Sequence, residues 1–466
     1  MTRTLALVLV PLSVLPSFRL SAQDTSAIDR GVRIGIVYRP GVRPGVVVLP
    51  GRAQALDSIR AIIARDLDYS DRFELITLPS GDSIRVTAAP PPSATAGRPG
   101  AATGKATGAG GGAAATSLNY PLYQALGADF AVAIATAPID TTVVTVHDVA
   151  AGGIRREFRA RLPVLKDPGF RLAVHRLADR VLEATLGVAG IAATRVLLVR
   201  DGKVYGVDQD GADVRLVSSS DHQAMSPAWA PDGRRFAYME FWEGHGRLFV
   251  QDVATGKRVA AATTGQALDF TPAFAPDEKT LAFSRATEEG TDIYTVNLKD
   301  NCCLQRLTVG RFSDNLSPTY SPDGQRIAFV STRAGLPQIY VMAADGTDQQ
   351  LFAPFDYGVT GASYAPDWSP DGQSVAFHRD VGGTYQVFVL DVRTRAVRQL
   401  TSVGRNEDPT WAPDSRHMAF VSDRAGYRQL WIVDVETGRI RALLTSSGVR
   451  LPAWSPRLTE TTASTP

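Results

Sequence analysis

The stretch "LPAWSPRL", residues 451–458, lies almost at the end of the 466-residue chain and yet has the form of a beginning. Close relatives of it stand upstream: "SPAWAPDG" (226–233), "TPAFAPDE" (271–278), "SPTYSPDG" (317–324), "APDWSPDG" (365–372) and "DPTWAPDS" (408–415). With the first proline of each as anchor (Pro227, Pro272, Pro318, Pro366, Pro409, Pro452), the spacings are 45, 46, 48, 43 and 43 residues. An aromatic residue follows every anchor by two positions (Trp229, Phe274, Tyr320, Trp368, Trp411, Trp454). A second proline follows by four (Pro231, Pro276, Pro322, Pro370, Pro413, Pro456). Self-similarity at a fixed period is the mark of a repeat architecture.

What lies between the anchors reads as strands. Pro-Asp-Gly supplies turn chemistry, proline fixing φ and Asp and Gly suiting the later turn positions. A short apolar run follows with alanine and then an aromatic at fixed places: "FAYM", "LAFS", "IAFV", "VAFH", "MAFV". After a Gly-containing loop come runs such as "QIYVMA" and "QLWIVD", a turn such as "VETG", and an Arg/Leu/Thr strand such as "RQLT". Four strands in roughly 45 residues, rich in β-branched and aromatic side chains, describe one blade of a β-propeller.

The final copy has its first strand only, whereas residues 195–218 hold "RVLLVR", "KVYGVD" and "VRLVS" with no anchor in front of them. The expectation is that residues 452–456 join that sheet, so that six blades close into a ring through one composite blade. The propeller is expected over 191–458, with a tail at 459–466.

The beginning of the chain follows a different plan. Arg3 precedes an apolar run from Leu5 to Leu15 and small residues at Ser21 and Ala22, which reads as a cleavable secretory signal over 1–23; an uncleaved membrane anchor is the alternative. Residues 24–190 read as an α/β domain with a mixed sheet and two helices. Strands are expected at 32–37, 45–49, 73–77, 129–136, 142–149 and 154–162. One helix carries Leu56, Ile59, Ile62, Ile63 and Leu67 on one face. The other starts at Asp167-Pro168, carries Phe170, Val174, Leu177, Val181 and Leu182, and ends at Gly187. Residues 88–117, "AAPPPSATAGRPGAATGKATGAGGGAAATS", lack side chains able to build a core and read as a disordered surface insertion. Because loop length adds little closure entropy, replacing them by a short Gly/Ser linker is expected to change the unfolding free energy by less than about 1 kcal/mol. A larger shift in the denaturant midpoint would mark the segment as structured.

Composition excludes more than it selects. A formal charge of +2 with 44% hydrophobic and 21% charged residues is ordinary for a soluble globular chain, and no basic stripe suggests nucleic acid. The chain has no His-Glu-x-x-His, no Gly-x-Ser-x-Gly and no phosphate-binding Gly-rich loop. No catalytic, cofactor-binding or metal-ligating residues are therefore assigned. The histidines (His147, His175, His222, His245, His378, His417) are scattered. Asp232, Asp277, Asp323, Asp371 and Asp414 recur in register, which their seat in a turn explains better than shared acid–base work. Cys302 and Cys303 read as part of a surface turn, with a strained vicinal disulfide as the alternative.

An exported α/β domain followed by blades of the type "P-x-W-S-P-D-G … I-A-F-x-S … I-Y-V-x-D … R-x-L-T" and closed by "PAWSP" resembles the TolB family of the Tol–Pal cell-envelope system. "VRIGIVYRPGVRPGVVVLP" and "ALGADFAVAIAT" are similar to the corresponding segments of that family. The insertion at 88–117, the residues before Val32 and the Cys pair depart from it. The resemblance implies a non-enzymatic, monomeric periplasmic adaptor, peripheral to the outer membrane through its partners. Those partners are the peptidoglycan-associated lipoprotein Pal at the propeller mouth and TolA-like inner-membrane Tol proteins at an N-terminal segment, supporting outer-membrane integrity and constriction during cell division. By that resemblance the lipoprotein site maps to loops ending at the anchors, with Asp269, Phe270, Asp314, Asn315, Tyr364, Asn406, Glu407 and Arg450. The N-terminal contact maps to Val32, Arg33 and Ile34. For any of these loops, plain solvated linkers remain the alternative. A propeller hydrolase or peptidase-associated propeller with a channel active site is the competing function.

Overall fold

Ala55–Tyr69 forms helix α1, which turns Leu56, Ile59, Ile63 and Leu67 inward at helical spacing. Phe170–Leu186 forms α3 on the same plan with Phe170, Val174, Leu177, Val181 and Leu182. Between them a short α2, Tyr120–Ala125, is capped by the Asn119 side chain, which accepts the Leu122 N–H at 3.3 Å. Five strands complete this layer: β1 (Gly45–Val48), β2 (Glu74–Leu75), β3 (Phe130–Ala137), β4 (Thr141–Asp148) and β5 (Gly153–Arg161), ordered β2-β1-β3-β4-β5. β1 pairs in parallel with β2 and β3, and β3, β4 and β5 pair antiparallel, so the sheet is mixed as expected. Val46, Val48, Phe130, Val132, Val144, Val146 and Phe158 meet α1 and α3 in one core.

This computed structural model describes residues 43–50, 55–78, 118–261, 267–300, 302–353 and 361–459. The expected signal at 1–23, the strand at 32–37, the insertion at 88–117 and all but the first residue of the tail lie outside them. Three local readings change. The α2 helix was not anticipated, although Asn119 ahead of Pro121 is a start signal. The strand expected over 73–77 is only Glu74–Leu75. The last helix begins at Phe170 rather than Pro168, because residues 167–169 form a turn in which the Asp167 carboxylate accepts the Gly169 N–H at 2.7 Å. It ends at Gly187, φ +71°, where a left-handed cap is needed.

Among the described residues after 194, all regular structure is strand: a β-propeller. β6 (Arg195–Arg200), β7 (Lys203–Asp208) and β8 (Arg215–Leu216) precede the first anchor, and β9 (Gln223–Trp229), β10 (Arg235–Trp242), β11 (His245–Asp252) and β12 (Arg258–Ala260) form the first full repeat. Each later repeat runs outward from its own innermost strand: Leu268–Phe274, Asn315–Tyr320, Ser363–Trp368 and Asn406–Trp411. The strand Arg450–Trp454 pairs antiparallel with β6, in a four-stranded sheet with β7 and β8. The first two full repeats share an eight-stranded sheet in which Gly246 and Leu268 are the single paired position between them. Cys302 and Cys303 are joined as a disulfide at the start of the outermost strand Cys302–Arg306.

The anchor prolines explain the repeat's internal spacing. Proline has no N–H to give a ladder, so an innermost strand can hold one only at an irregularity. Each strand bulges there. The anchor and the residue before it together stand opposite one residue of the next strand, namely Tyr238, Phe283, Phe329, Phe377, Phe420 or, in the last sheet, Leu198. That partner is the aromatic of the Ala-aromatic pair in the five full repeats. The residue before every anchor is left-handed: Ser226 (φ 52°), Thr271 (47°), Ser317 (55°), Ala365 (49°), Asp408 (52°) and Leu451 (50°). For an L-residue this costs on the order of 1–2 kcal/mol. Beyond the strand, the turn aspartates take backbone N–H groups. Asp232 accepts from Arg234 and Arg235 at 2.7 and 3.0 Å, and Asp277 from Lys279 and Thr280 at 2.8 and 2.9 Å.

The described residues pack as one unit, and two buried ionic clusters among them join the α/β layer to the propeller. In the first, His175 of α3 is fully buried with Nδ1 2.7 Å from Asp66 of α1 and Nε2 3.6 Å from Asp208 at the end of β7. Arg195 pairs with Asp208 at 2.8 Å, and Arg171 and Arg65 pair with Asp210. In the second, His417 has Nδ1 2.7 Å from Asp414 and Nε2 3.2 Å from Asp71 of the α/β layer. Arg416 pairs with Asp434 at 2.6 Å and Arg439 with Asp71 at 2.6 Å. Asp71, Asp66 and α3 thus meet the propeller at the turn that follows the innermost strand Asn406–Trp411 and at the outer-hairpin turns after β7 and after Gln429–Asp434. The opposite face, where chain enters each innermost strand, carries no α/β contact in these clusters.

Candidate functional site

One cavity of about 420 Å³ is lined by all six anchor motifs, from Ser226-Pro227 through Leu451-Pro452. The bulges bring this about: each turns a proline and a left-handed residue toward the axis, so the wall is made of pyrrolidine rings and aromatic edges. The residues Ser226, Thr271, Ser317, Thr319 and Thr410 add hydroxyl groups to this lining, and two carboxylates stand in it, Asp367 and Asp408. Burial pushes Asp367 up to about 6; its carboxylate accepts the Trp411 N–H at 2.7 Å. Burial, with Glu407 beside it, likewise pushes Asp408 up to about 6. His378, next to Asp408, accepts the Asp408 N–H on Nδ1 at 3.1 Å, and burial, reinforced by Arg405, holds it down near 3.

The residues expected at the mouth divide into two groups. Asp269, Asn315 and Asn406 are buried. Arg285 grips Asp269 through two bonds of 2.7 and 3.0 Å. Asn315 donates to Asp292 at 3.0 Å and accepts from Ser331 and Arg333 at 2.8 and 2.9 Å. Asn406 donates to Gln386 and accepts from Arg424, both at 2.8 Å. These side chains bind strands and neighbouring repeats together, and the polar atoms named here are engaged inside the protein. Asp314 and Arg450 are exposed, and Phe270, Tyr364 and Glu407 are half-buried, Glu407 between Arg405 and Arg428 at 2.7 and 3.0 Å. Val32, Arg33 and Ile34 lie outside the described residues.

The mouth also presents side chains that were not anticipated. Phe312 is fully exposed, and Val309 and Val403 are exposed with it, all in loops that enter innermost strands. Trp242, Leu336, Val381 and Tyr427 stand exposed at the tips of the inner hairpins, which open on the same face. Apolar side chains gathered on the rim of a concavity mark an interaction surface. Among the described residues two sets of potential metal ligands occur elsewhere, Asp66/His175/Asp210 and Asp71/His417/Asp434. Arginines already compensate their charge, and every imidazole nitrogen in them faces a carboxylate, so what they hold is the joint between the two layers. Among the described residues no helix is long and apolar enough to cross a membrane.

Residues 183–458 match the family profile described as the TolB beta propeller domain. The chain is 31% identical over 182 residues to the Tol-Pal system protein TolB of Bordetella pertussis, a match covering 38% of this chain and 41% of the relative. The same figures hold for the TolB of Bordetella parapertussis, so the match spans about two fifths of the length of these relatives. Among solved structures, TolB from Acinetobacter baumannii superposes with a TM-score of 0.71 at 23% identity, over 90% of this chain and 98% of that one. That likeness is one of fold.

Proposed function

The chain belongs to the TolB β-propeller family, and on that premise we propose that it is a non-enzymatic periplasmic adaptor of a Tol–Pal system. Its mouth takes a peptidoglycan-associated lipoprotein, and its N-terminal segment, with Val32, Arg33 and Ile34, meets a TolA-like inner-membrane protein. The adaptor is a monomer that reaches the outer membrane through its partners and supports envelope integrity during constriction. The observation that carries this reading is the ring of exposed apolar side chains around a cavity shared by all six repeats. The propeller is read as six-bladed, residues 191–458, with the first two full repeats as separate blades in contact at Gly246 and Leu268. The pairing of Arg450–Trp454 with β6 supports closure through a composite blade.

The test is a titration of the soluble domain of a peptidoglycan-associated lipoprotein from the same organism. Replacing Phe312 and Tyr427 together by alanine is expected to weaken binding by about tenfold or more while leaving the melting temperature unchanged, since both are exposed. Undiminished affinity, with protection mapped to the α/β side, would overturn the assignment.

A further inference from the structure

A second cleft, of about 250 Å³, opens on the mouth side of the first full repeat, lined by His222, Glu240, Trp242, His245, Arg247, Phe249 and Arg258. Trp242 is opposite His245 and Glu240 opposite Arg247 across the β10–β11 ladder, so these side chains share one sheet face. That face is turned toward the sheet holding β6–β8: Gln251 of β11 donates to the Val217 carbonyl at 2.6 Å. The cleft therefore sits over the seam where the two ends of the propeller meet. Trp242 is 45% exposed, with the His222 ring 5.6 Å away and tilted by 36°. At the floor Glu240 is buried and already engaged, taking Arg258 at 2.6 Å and the Ser220 hydroxyl at 2.7 Å. Arg258 also covers the Phe249 ring at 4.5 Å. Arg247 is exposed and has no ion pair among the described residues.

We propose that this cleft is an anchor pocket for the protein partner of the mouth, receiving an apolar side chain against Trp242 and a neighbouring carboxylate on Arg247. The inference rests on the adaptor reading above. Three features favour this occupant. The floor carboxylate is neutralised within the protein, so the rim is dominated by the Arg247 guanidinium, with the His222 imidazole beside it, and selects an acidic residue. A purely apolar occupant would strip water from the Arg247 guanidinium without replacing it. The cleft also lies on the same face as the mouth, because His222 lies in the segment that enters β9 and leads to the anchor Pro227. Its volume suits one or two side chains.

The experiment titrates the same soluble lipoprotein domain against the wild-type protein, Trp242→Ala and Arg247→Glu, each at low and high salt. Trp242→Ala is expected to weaken binding about tenfold or more. Arg247→Glu is expected to weaken it about tenfold at low salt and to flatten the salt dependence. Both side chains are exposed, so the melting temperature should hold. Wild-type binding with both variants equal to it overturns the pocket and leaves the adaptor reading standing. Loss with Trp242→Ala alone overturns the acidic character of the occupant. No binding by the wild-type protein overturns the adaptor reading and the pocket together.

Discussion

Replacing Trp454 by alanine is expected to lower the free energy of unfolding by about 3–5 kcal/mol, among the larger effects a single core truncation produces. Trp454 is 6% exposed and packs with Ile191, Val196, Leu198, Ala412, Ala419 and Leu443, which come from both ends of the propeller. Its indole N–H donates to the Thr194 hydroxyl at 2.9 Å and its backbone N–H to the Thr410 hydroxyl at 3.2 Å. Three segments distant in sequence thus depend on one side chain. Thr194→Ala should cost only about 1 kcal/mol, since it removes one hydrogen bond and little volume. Denaturant midpoints read both values. A Trp454→Ala protein as resistant as the wild type would mean that the terminal strand does not hold its sheet.

A loss of about 3–5 kcal/mol is likewise expected for His175→Gln, because it leaves Asp66 and Asp208 desolvated without their shared cation. Burial alone would push the His175 imidazole down. The Asp66 and Asp208 carboxylates on its two nitrogens outweigh that and hold it up at about 10. Nδ1 is hydrogen-bonded to Asp66 at 2.7 Å, and Nε2, 3.6 Å from Asp208, brings the ring's charge beside a second carboxylate, which favours the imidazolium. The sign follows from the direction of the shift. A folded value above the ordinary 6.5 favours the folded state fully below about pH 6.5, and this contribution fades as pH rises toward about 10. His417, raised by Asp414 and Asp71 against its own burial, acts in the same direction. Unfolding midpoints measured from pH 6 to 10 should therefore decline for the wild type and decline less for His175→Gln. Parallel curves would show His175 to be neutral in the fold.

The propeller was legible because its period is written in residues with a single structural use: a proline inside an innermost strand demands a bulge, and the bulge fixes the aromatic opposite it. The mouth was less so. Asp269, Asn315 and Asn406 occupy the same place, two residues before the left-handed position, and there the strand's alternation turns side chains into the sheet stack. Neighbouring Phe270, Tyr364 and Glu407 fall on the other parity and stay half-exposed. Phe312, Trp242, Leu336 and Tyr427 carry no such periodic signal. They stand in loops and hairpin tips, and only the common direction of the strands in each repeat gathers them on one face. The two ionic clusters were hidden for a similar reason, since Asp66 and Asp208, or Asp71 and His417, lie far apart in sequence.

The bulged prolines also limit what can enter the cavity. An innermost strand is ordinarily a free edge, and a free edge can template an incoming extended chain through a row of paired amides and carbonyls. Here each of the six edges lacks a donor at its anchor and is kinked by a left-handed residue beside it. An extended segment laid along any of them meets a break in register after a residue or two. The cavity is therefore poorly suited to strand addition, and what its wall offers an occupant is contact with side chains rather than a backbone ladder.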